Sequence, residues 1–252
     1  MKMSMIRIVK CAVAALLCTP LIALAADAGV ALDKAPLSTN QADLQNGAKT
    51  FLTYCFGCHS ASFMRYNMLT QLGWTDKEIE KELIVSGEGA GALMTIAMKP
   101  KEAKTWFGVT PPDLTLVARQ RASSAGSGAD WLYTYLRAFY RDAGRPTGWN
   151  NKVFENAAMP HVLWQLQGEQ EAEITEDEQG VKHVGTLKLA KPGTLSPEQY
   201  DKTVADLVSF IDWMGEPGAQ QRKSIGVIVL AYLAFLFVLC YFLKKNFWKD
   251  VH

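Results

Sequence analysis

The chain of 252 residues is 49% apolar, carries a formal charge of +1 and holds five cysteines, which leaves room for one sizeable domain and shorter flanking segments. Its charge is uneven: residues 27–221 contain 18 of the 26 Lys and Arg but 24 of the 25 Asp and Glu, a balance of −6. So acidic a body argues against a nucleic-acid partner and favours basic ones.

Residues 1–26 read as a cleaved export signal. Lys2, Arg7 and Lys10 open it, an almost wholly apolar run continues to Leu24, and Ala23-Leu24-Ala25-Ala26 suits a signal peptidase. The apolar run is too short to cross a bilayer, which needs roughly 20 residues. Residues 27–40 form an irregular lead-in. Leu44, Ala48, Phe51, Leu52 and Cys55 then keep helical spacing, which places Cys55 at the end of a helix. Thr75 and Glu78 make a capping box for a short second helix. Residues 86–115, rich in Gly and Pro, are expected to be mostly loop. Asp130 is expected to cap a third helix with Leu132, Leu136 and Phe139 on one face, ended by Gly144 and Pro146.

Weak alternation about Gly180 predicts a hairpin over residues 171–189. The acidic run from Glu169 to Glu178 is expected to be a solvated loop, with docking of a basic protein as its rival reading. Ser196, Pro197 and Gln199 start a helix with the stripe Tyr200, Val204, Leu207, Val208 and Ile211, stopped by Gly215 and Pro217. After a hinge over 216–223, residues 224–243 carry no charge and as a helix would span roughly 30 Å. Arg222 and Lys223 precede this stretch; Lys244, Lys245 and Lys249 follow it, with Tyr241, Phe247 and Trp248 suited to an interface. It reads as a single membrane anchor with a tail at 244–252. The domain between signal and anchor, 27–221, is expected to be mainly α.

Chemistry enters at Cys55-Phe56-Gly57-Cys58-His59, the C-x-x-C-H haem attachment pattern. Two thiols a helical turn apart can each bond one porphyrin vinyl group, and the adjacent histidine can offer a nitrogen to the iron. A redox dithiol should open a helix rather than close one. A zinc site needs four ligands, and the exported segment holds no second cysteine pair; for the same reason a disulfide scaffold is excluded. Candidates for the sixth iron ligand are Met64, Met68, Met94, Met98, Met159, Met214, His161 and His183. Met159-Pro160 stands out because it follows an Asn-rich stretch in which proline can present a thioether rigidly, with Met94, Met98 and His161 as alternatives. A Met/His pair raises the reduction potential and closes the iron, which favours electron transfer. Pro111-Pro112 could be an ordinary loop or pack beside the haem. Arg119 and Arg121 could be surface charges or pair with propionates.

The order of this motif, Pro111-Pro112-Asp113-Leu114-Thr115, Arg119 and Arg121, Ala158-Met159-Pro160, and an anchor introduced by Glu216-Pro217 and Arg222-Lys223 resembles the cytochrome c1 family. That family supplies the haem subunit of the ubiquinol–cytochrome c reductase (bc1) complex. The resemblance covers almost all of the chain after the signal, and implies a cytochrome c-like haem domain with loop insertions and a small hairpin, plus one transmembrane helix. It implies one covalent haem c with His59 and Met159 as axial ligands, Arg121 on the propionates with Arg119 as second choice, and Pro112 packed near the axial histidine. It further implies cytochrome b and Rieske iron–sulfur subunits as partners, cytochrome c as acceptor, and a dimeric complex. The location implied is the bacterial inner membrane, with the haem domain in the periplasm and the C-terminus in the cytoplasm. The chain itself would make and break no substrate bonds. Departures are the small-residue loop from Ala122 to Gly128, Trp131 where relatives often carry tyrosine, His161 after Met159-Pro160, and the absence of an extra cysteine pair. A membrane-tethered shuttle cytochrome outside any bc1 complex is the competing reading, and a haem enzyme or gas sensor with an open iron is the other.

Overall fold

The computed structural model describes residues 30–84, 87–180 and 182–249; the expected export signal and the last three residues of the tail lie outside them. Helix α1 (Gln41–Thr50) starts at Asn40, whose side chain accepts from Ala42 N at 2.9 Å, and continues into a π turn at Phe51–Cys55. The carbonyl of Cys55 then accepts from Cys58 N at 3.1 Å and His59 N at 2.9 Å. The Cys-x-x-Cys-His segment therefore closes a helix, as its apolar spacing predicts.

Strand β1 (Ala61–Arg65) pairs antiparallel with β2 (Leu93–Met94). Between them lie a 3₁₀ helix (Tyr66–Leu72) and the short α2 (Asp76–Glu78), which carries the expected Thr75–Glu78 capping box and runs on into a π turn at Ile79–Leu83. The segment expected to be mostly loop contains β2 and a helix, α3 (Pro100–Phe107). Pro100 occupies its first turn, where a fixed φ and a missing N–H cost nothing, and Gly108 closes it with φ of 77°. The glycine and proline that signal a loop in the sequence are here the two ends of a helix.

After α4 (Val117–Gln120) comes α5 (Gly128–Arg137), and here the expected start and stop both need correction. Ser127 is the N-cap; Asp130 sits three residues on and returns its carboxylate to Ser127 N at 3.1 Å while Ser127 Oγ accepts from Asp130 N at 3.1 Å. The helix ends at Arg137, because residues 139–141 leave it to form β3 (Phe139–Arg141), which pairs with β4 (Trp149–Asn151). Gly144 and Pro146 serve the connection between those strands. The one-turn α6 (Trp164–Gln167) leads into the expected hairpin, β5 (Gly168–Glu176) and β6 (Lys182–Pro192). The acidic run is thus largely a strand, and its charges face lysines: Glu169 pairs with Lys191 at 3.1 Å and Glu173 pairs with Lys188.

Helix α7 (Pro197–Gly215) packs against α1. A Cβ on Gly47 would lie 2.0 Å from the carbonyl oxygen of Asp206 and 2.8 Å from Phe210 Cβ, so the two backbones meet only because residue 47 has no side chain. Phe51 and Phe210 meet at a tilt across the same contact, with centroids 5.6 Å apart. The core around it holds Leu69, Ile79, Met94, Phe139, Leu163, Val204 and Leu207, all buried. Tyr200, also buried, spends its hydroxyl on Leu136 O at 2.8 Å, which satisfies the polar atom that burial would otherwise orphan.

Three residues separate the end of α7 from helix α8 (Ala219–Phe247), so the expected hinge shrinks to residues 216–218. Its 29 residues span about 44 Å, and its apolar stretch is exposed on every side. A helix that is apolar all round with none of that surface buried is built for lipid. The fold is accordingly a mainly α domain with small antiparallel pairs and one membrane helix.

Candidate functional site

His59 is half-buried, and its Nδ1 lies 2.7 Å from the carbonyl oxygen of Pro112. A carbonyl can only accept, so Nδ1 carries the proton and Nε2 keeps a lone pair for a metal. Burial lowers the imidazole pKa, against smaller opposing effects from the Pro112 carbonyl and Asp113, so the neutral ring needed for ligation dominates. Pro112 is itself held by a brace. Leu114 N donates to Ser60 O at 2.9 Å, and the Asp113 carboxylate accepts from Ser62 N at 2.7 Å and from Thr115 N and Oγ1 at 2.8 and 2.6 Å. Burial raises the Asp113 pKa, but these donors outweigh it and the net shift is downward. The Pro-Pro-Asp-Leu-Thr segment is thereby pinned to β1 directly after the cysteine motif.

Cys55 and Cys58 are both free thiols, one buried and one half-buried. Burial first, and Cys58 second, push the Cys55 thiol up to about 12. A reactive dithiol needs the opposite, a thiol with a lowered pKa, so the pair is poorly suited to disulfide exchange. Among the described residues no group of three His, Cys, Asp or Glu could hold a metal ion by itself, which leaves a four-ligand zinc site without its donors. Two thiols one turn apart and an imidazole with a free Nε2 do fit a covalently held haem.

On the thioether side, Met64, Met94 and Met214 are buried in the core, whereas Met68, Met98 and Met159 are half-buried. Met159 Sδ accepts from Tyr135 Oη at 3.5 Å. Burial raises the Tyr135 pKa, partly opposed by Arg121, so the phenol stays a donor. Tyr135 stacks on Trp131, centroids 4.7 Å apart, and the Arg121 guanidinium lies over the Trp131 ring at 4.5 Å and the Phe154 ring at 5.4 Å. Arg121 is therefore grouped with Trp131, Tyr135 and Met159. Arg119 turns elsewhere: its Nε donates to Gly215 O at 3.2 Å and its Nη2 pairs with Glu216 at the end of α7.

The loop that carries Met159 is held from β4. Asn150 Oδ1 accepts from Asn156 N at 2.8 Å, and Asn151 Oδ1 accepts from Val153 N and Phe154 N at 2.9 and 3.1 Å. Asn151 Nδ2 donates to Tyr135 O at 2.8 Å, and Arg145 clamps Asn156 through its side chain and carbonyl. Asn156 has φ of 61°, which an asparagine tolerates better than most residues. His161, an alternative ligand by sequence, is buried and stacked on Phe139 at 4.9 Å with Trp149 edge-on at 5.0 Å. Burial pushes it down to about 4, with Gln167 opposing and Arg141 adding to the shift. His183 lies on β6, bonded to Asp177 at 2.8 Å. Sequence reasoning missed Tyr135, Arg145 and the anchoring roles of Asn150 and Asn151. The adjacent asparagines were a usable signal, because such side chains commonly cap turns two or three residues on.

A helix-terminal Cys-x-x-Cys-His, a carbonyl-oriented imidazole and a lipid-facing terminal helix define a membrane-anchored c-type cytochrome. The model of the cytochrome c1 family matches residues 193–251. Cytochrome c1 of Allochromatium vinosum is 46% identical over 94% of this chain and 96% of its own length. A protein described as the ammonia monooxygenase gamma subunit of Nitrosomonas europaea is 45% identical over 98% of this chain and the whole of its own. Cytochrome b/c1 of Bradyrhizobium diazoefficiens is 23% identical over 83% of this chain and 33% of its own length. The chain belongs to the cytochrome c1 family. It is a membrane-anchored electron carrier with a covalently bound c-type haem.

Proposed function

We propose that this chain takes single electrons from a Rieske iron–sulfur subunit and passes them to a cytochrome c. The observation that supports the ligand assignment is the Pro112 carbonyl on His59 Nδ1, which leaves the opposite nitrogen free to bind a metal. Cys55 and Cys58 hold the group covalently, His59 is one axial ligand and Met159 the other. Arg121, which shares an aromatic group with the Met159 side chain, serves a propionate, with Arg119, which pairs with Glu216, as second choice. When bound, the haem supplies a one-electron ferric/ferrous couple whose potential a Met/His ligand set raises. The protein's own part is to fix the imidazole tautomer, present the thioether from a braced loop and keep the iron closed to other ligands.

Residues 1–26 direct export and are removed, the domain at 27–221 lies in the periplasm, 224–243 span the inner membrane, and the tail at 244–252 lies in the cytoplasm. The chain joins cytochrome b in a bc1-type complex, which is a dimer. Support for this placement comes from the thiol–haem chemistry, which belongs outside the cytoplasm, and from the lysines that follow the anchor.

The test is an absorption spectrum of membranes carrying the wild type or Met159→Leu, reduced, with and without carbon monoxide. The wild type should be inert to the gas and the variant should bind it. A wild type that binds carbon monoxide would mean an open sixth position and would remove Met159 as ligand.

A further inference from the structure

We infer that Tyr135 is a tuning residue for the redox couple, acting through its hydrogen bond to the Met159 thioether. The inference rests on the proposed ligation by Met159 and adds a function for a residue outside the attachment and ligand set.

Three observations converge on it. The phenol oxygen is 3.5 Å from Sδ, within reach for a sulfur acceptor, and a thioether has no proton to give, so the hydroxyl must donate. The ring is immobilised: it stacks on Trp131 at 4.7 Å and 12°, meets Phe139 edge-on at 5.0 Å, and its backbone carbonyl is held by Asn151 Nδ2. The side chain is buried, where a hydrogen bond is electrostatically stronger than in water. Sulfur has two lone pairs. With one engaged by the phenol, the other remains for the iron, and the engaged sulfur is the poorer electron donor. A poorer donor stabilises the ferric state less than the ferrous state, which raises the potential. Hydrogen bonding to a ligand is one of the levers by which a protein sets a haem potential.

The sequence gives Tyr135 no special standing, since a tyrosine in an amphipathic helix is most simply a core residue. A core residue would explain its burial and ring contacts. It would not require a hydroxyl, and the hydroxyl is what the experiment removes.

The experiment compares wild type, Tyr135→Phe and a chain with 3-fluorotyrosine at position 135, each in the full membrane-anchored form. Two readouts are taken: the far-red charge-transfer band of a methionine-ligated ferric haem, and the midpoint potential. The band should persist in all three. Tyr135→Phe should shift the ferrous-to-ferric ratio at fixed potential roughly three- to tenfold toward ferric, about 30 to 59 mV for a one-electron couple. The fluorinated phenol, a stronger donor, should move the potential upward. A band present throughout with potentials that do not move would overturn the role of Tyr135 while leaving Met159 in place. A band missing from the wild type would overturn the ligand assignment, and the tuning role with it.

Discussion

Asp130 is a buried carboxylate that joins the N-terminal lead-in to α5. It accepts from Ala35 N at 2.8 Å, Ser127 N at 3.1 Å and Lys34 Nζ at 3.2 Å. Burial alone would raise its pKa, but these donors win and hold it at about 2, below the ordinary 3.8. A group with a depressed folded pKa contributes stability that is complete above 3.8 and disappears as the pH falls through 2. Asp130→Asn should therefore cost up to about 2 kcal/mol at neutral pH, with the difference from wild type closing between pH 3.8 and 2. Denaturant unfolding followed by tryptophan fluorescence at pH 7 and at pH 2 measures both ends of that window; a penalty that persists unchanged at pH 2 would refute it. The same residue illustrates what a sequence yields at this scale. Asp130 was legible as a helix-start residue, while its exact position and its bond to Ala35 were not, because that partner lies 95 residues away. His59 and Pro112 meet in the same way across 53 residues. The motif named the histidine, and only the fold supplies the atom that orients it.

Elements were legible where periodicity and capping chemistry agreed. The helices at α1 and α7 follow from apolar spacing, and Ser196 with Gln199 forms the capping box its spacing predicts. The hairpin at β5 and β6 follows from alternation about Gly180. Misreadings arose where one residue type has two structural uses. Pro100 and Gly108 bound a helix although such residues also mark loops, and Gly144 and Pro146 punctuate a strand connection instead of ending α5. Gly47 is the sharpest case, since nothing in its neighbourhood in sequence marks it as a contact point. Gly47→Ala would force a methyl to within 2.0 Å of the Asp206 carbonyl oxygen, backbone that cannot turn aside. Overpacking of this kind typically costs about 1–3 kcal/mol, occasionally more, and here it would pry α1, which leads through the π turn into the cysteine motif, from α7. Gly91→Ala is the matched control, because it lies outside the cysteine motif and a Cβ there meets nothing within 4 Å. The first variant should melt lower and incorporate less haem, the second should behave as wild type. Equal melting temperatures would mean that the two helices do not bear on each other as closely as this.

At the scale of the whole molecule, the domain and the anchor obey different solvents. The core of the domain draws on α1, α5 and α7 and the small sheets, while the apolar length of α8 contributes no buried surface to it. What links the two is polar and lies at the junction. Glu216 is paired with Arg119 from the haem domain and with Arg222 from α8, the latter at 2.7 Å. Ion pairs exposed to this degree contribute little stability, so the domain does not depend on the helix for its fold. A chain ending at residue 218 should therefore be recovered soluble without detergent, with the absorption bands and midpoint potential of the anchored form, while the full chain stays with the membrane fraction. Centrifugation and a redox titration of both chains make the comparison. An aggregated fragment would mean that α8 covers apolar surface of the domain. A fragment that is soluble but shifted in potential would instead mean that Glu216, having lost Arg222, holds Arg119 differently and so changes the charge near the haem.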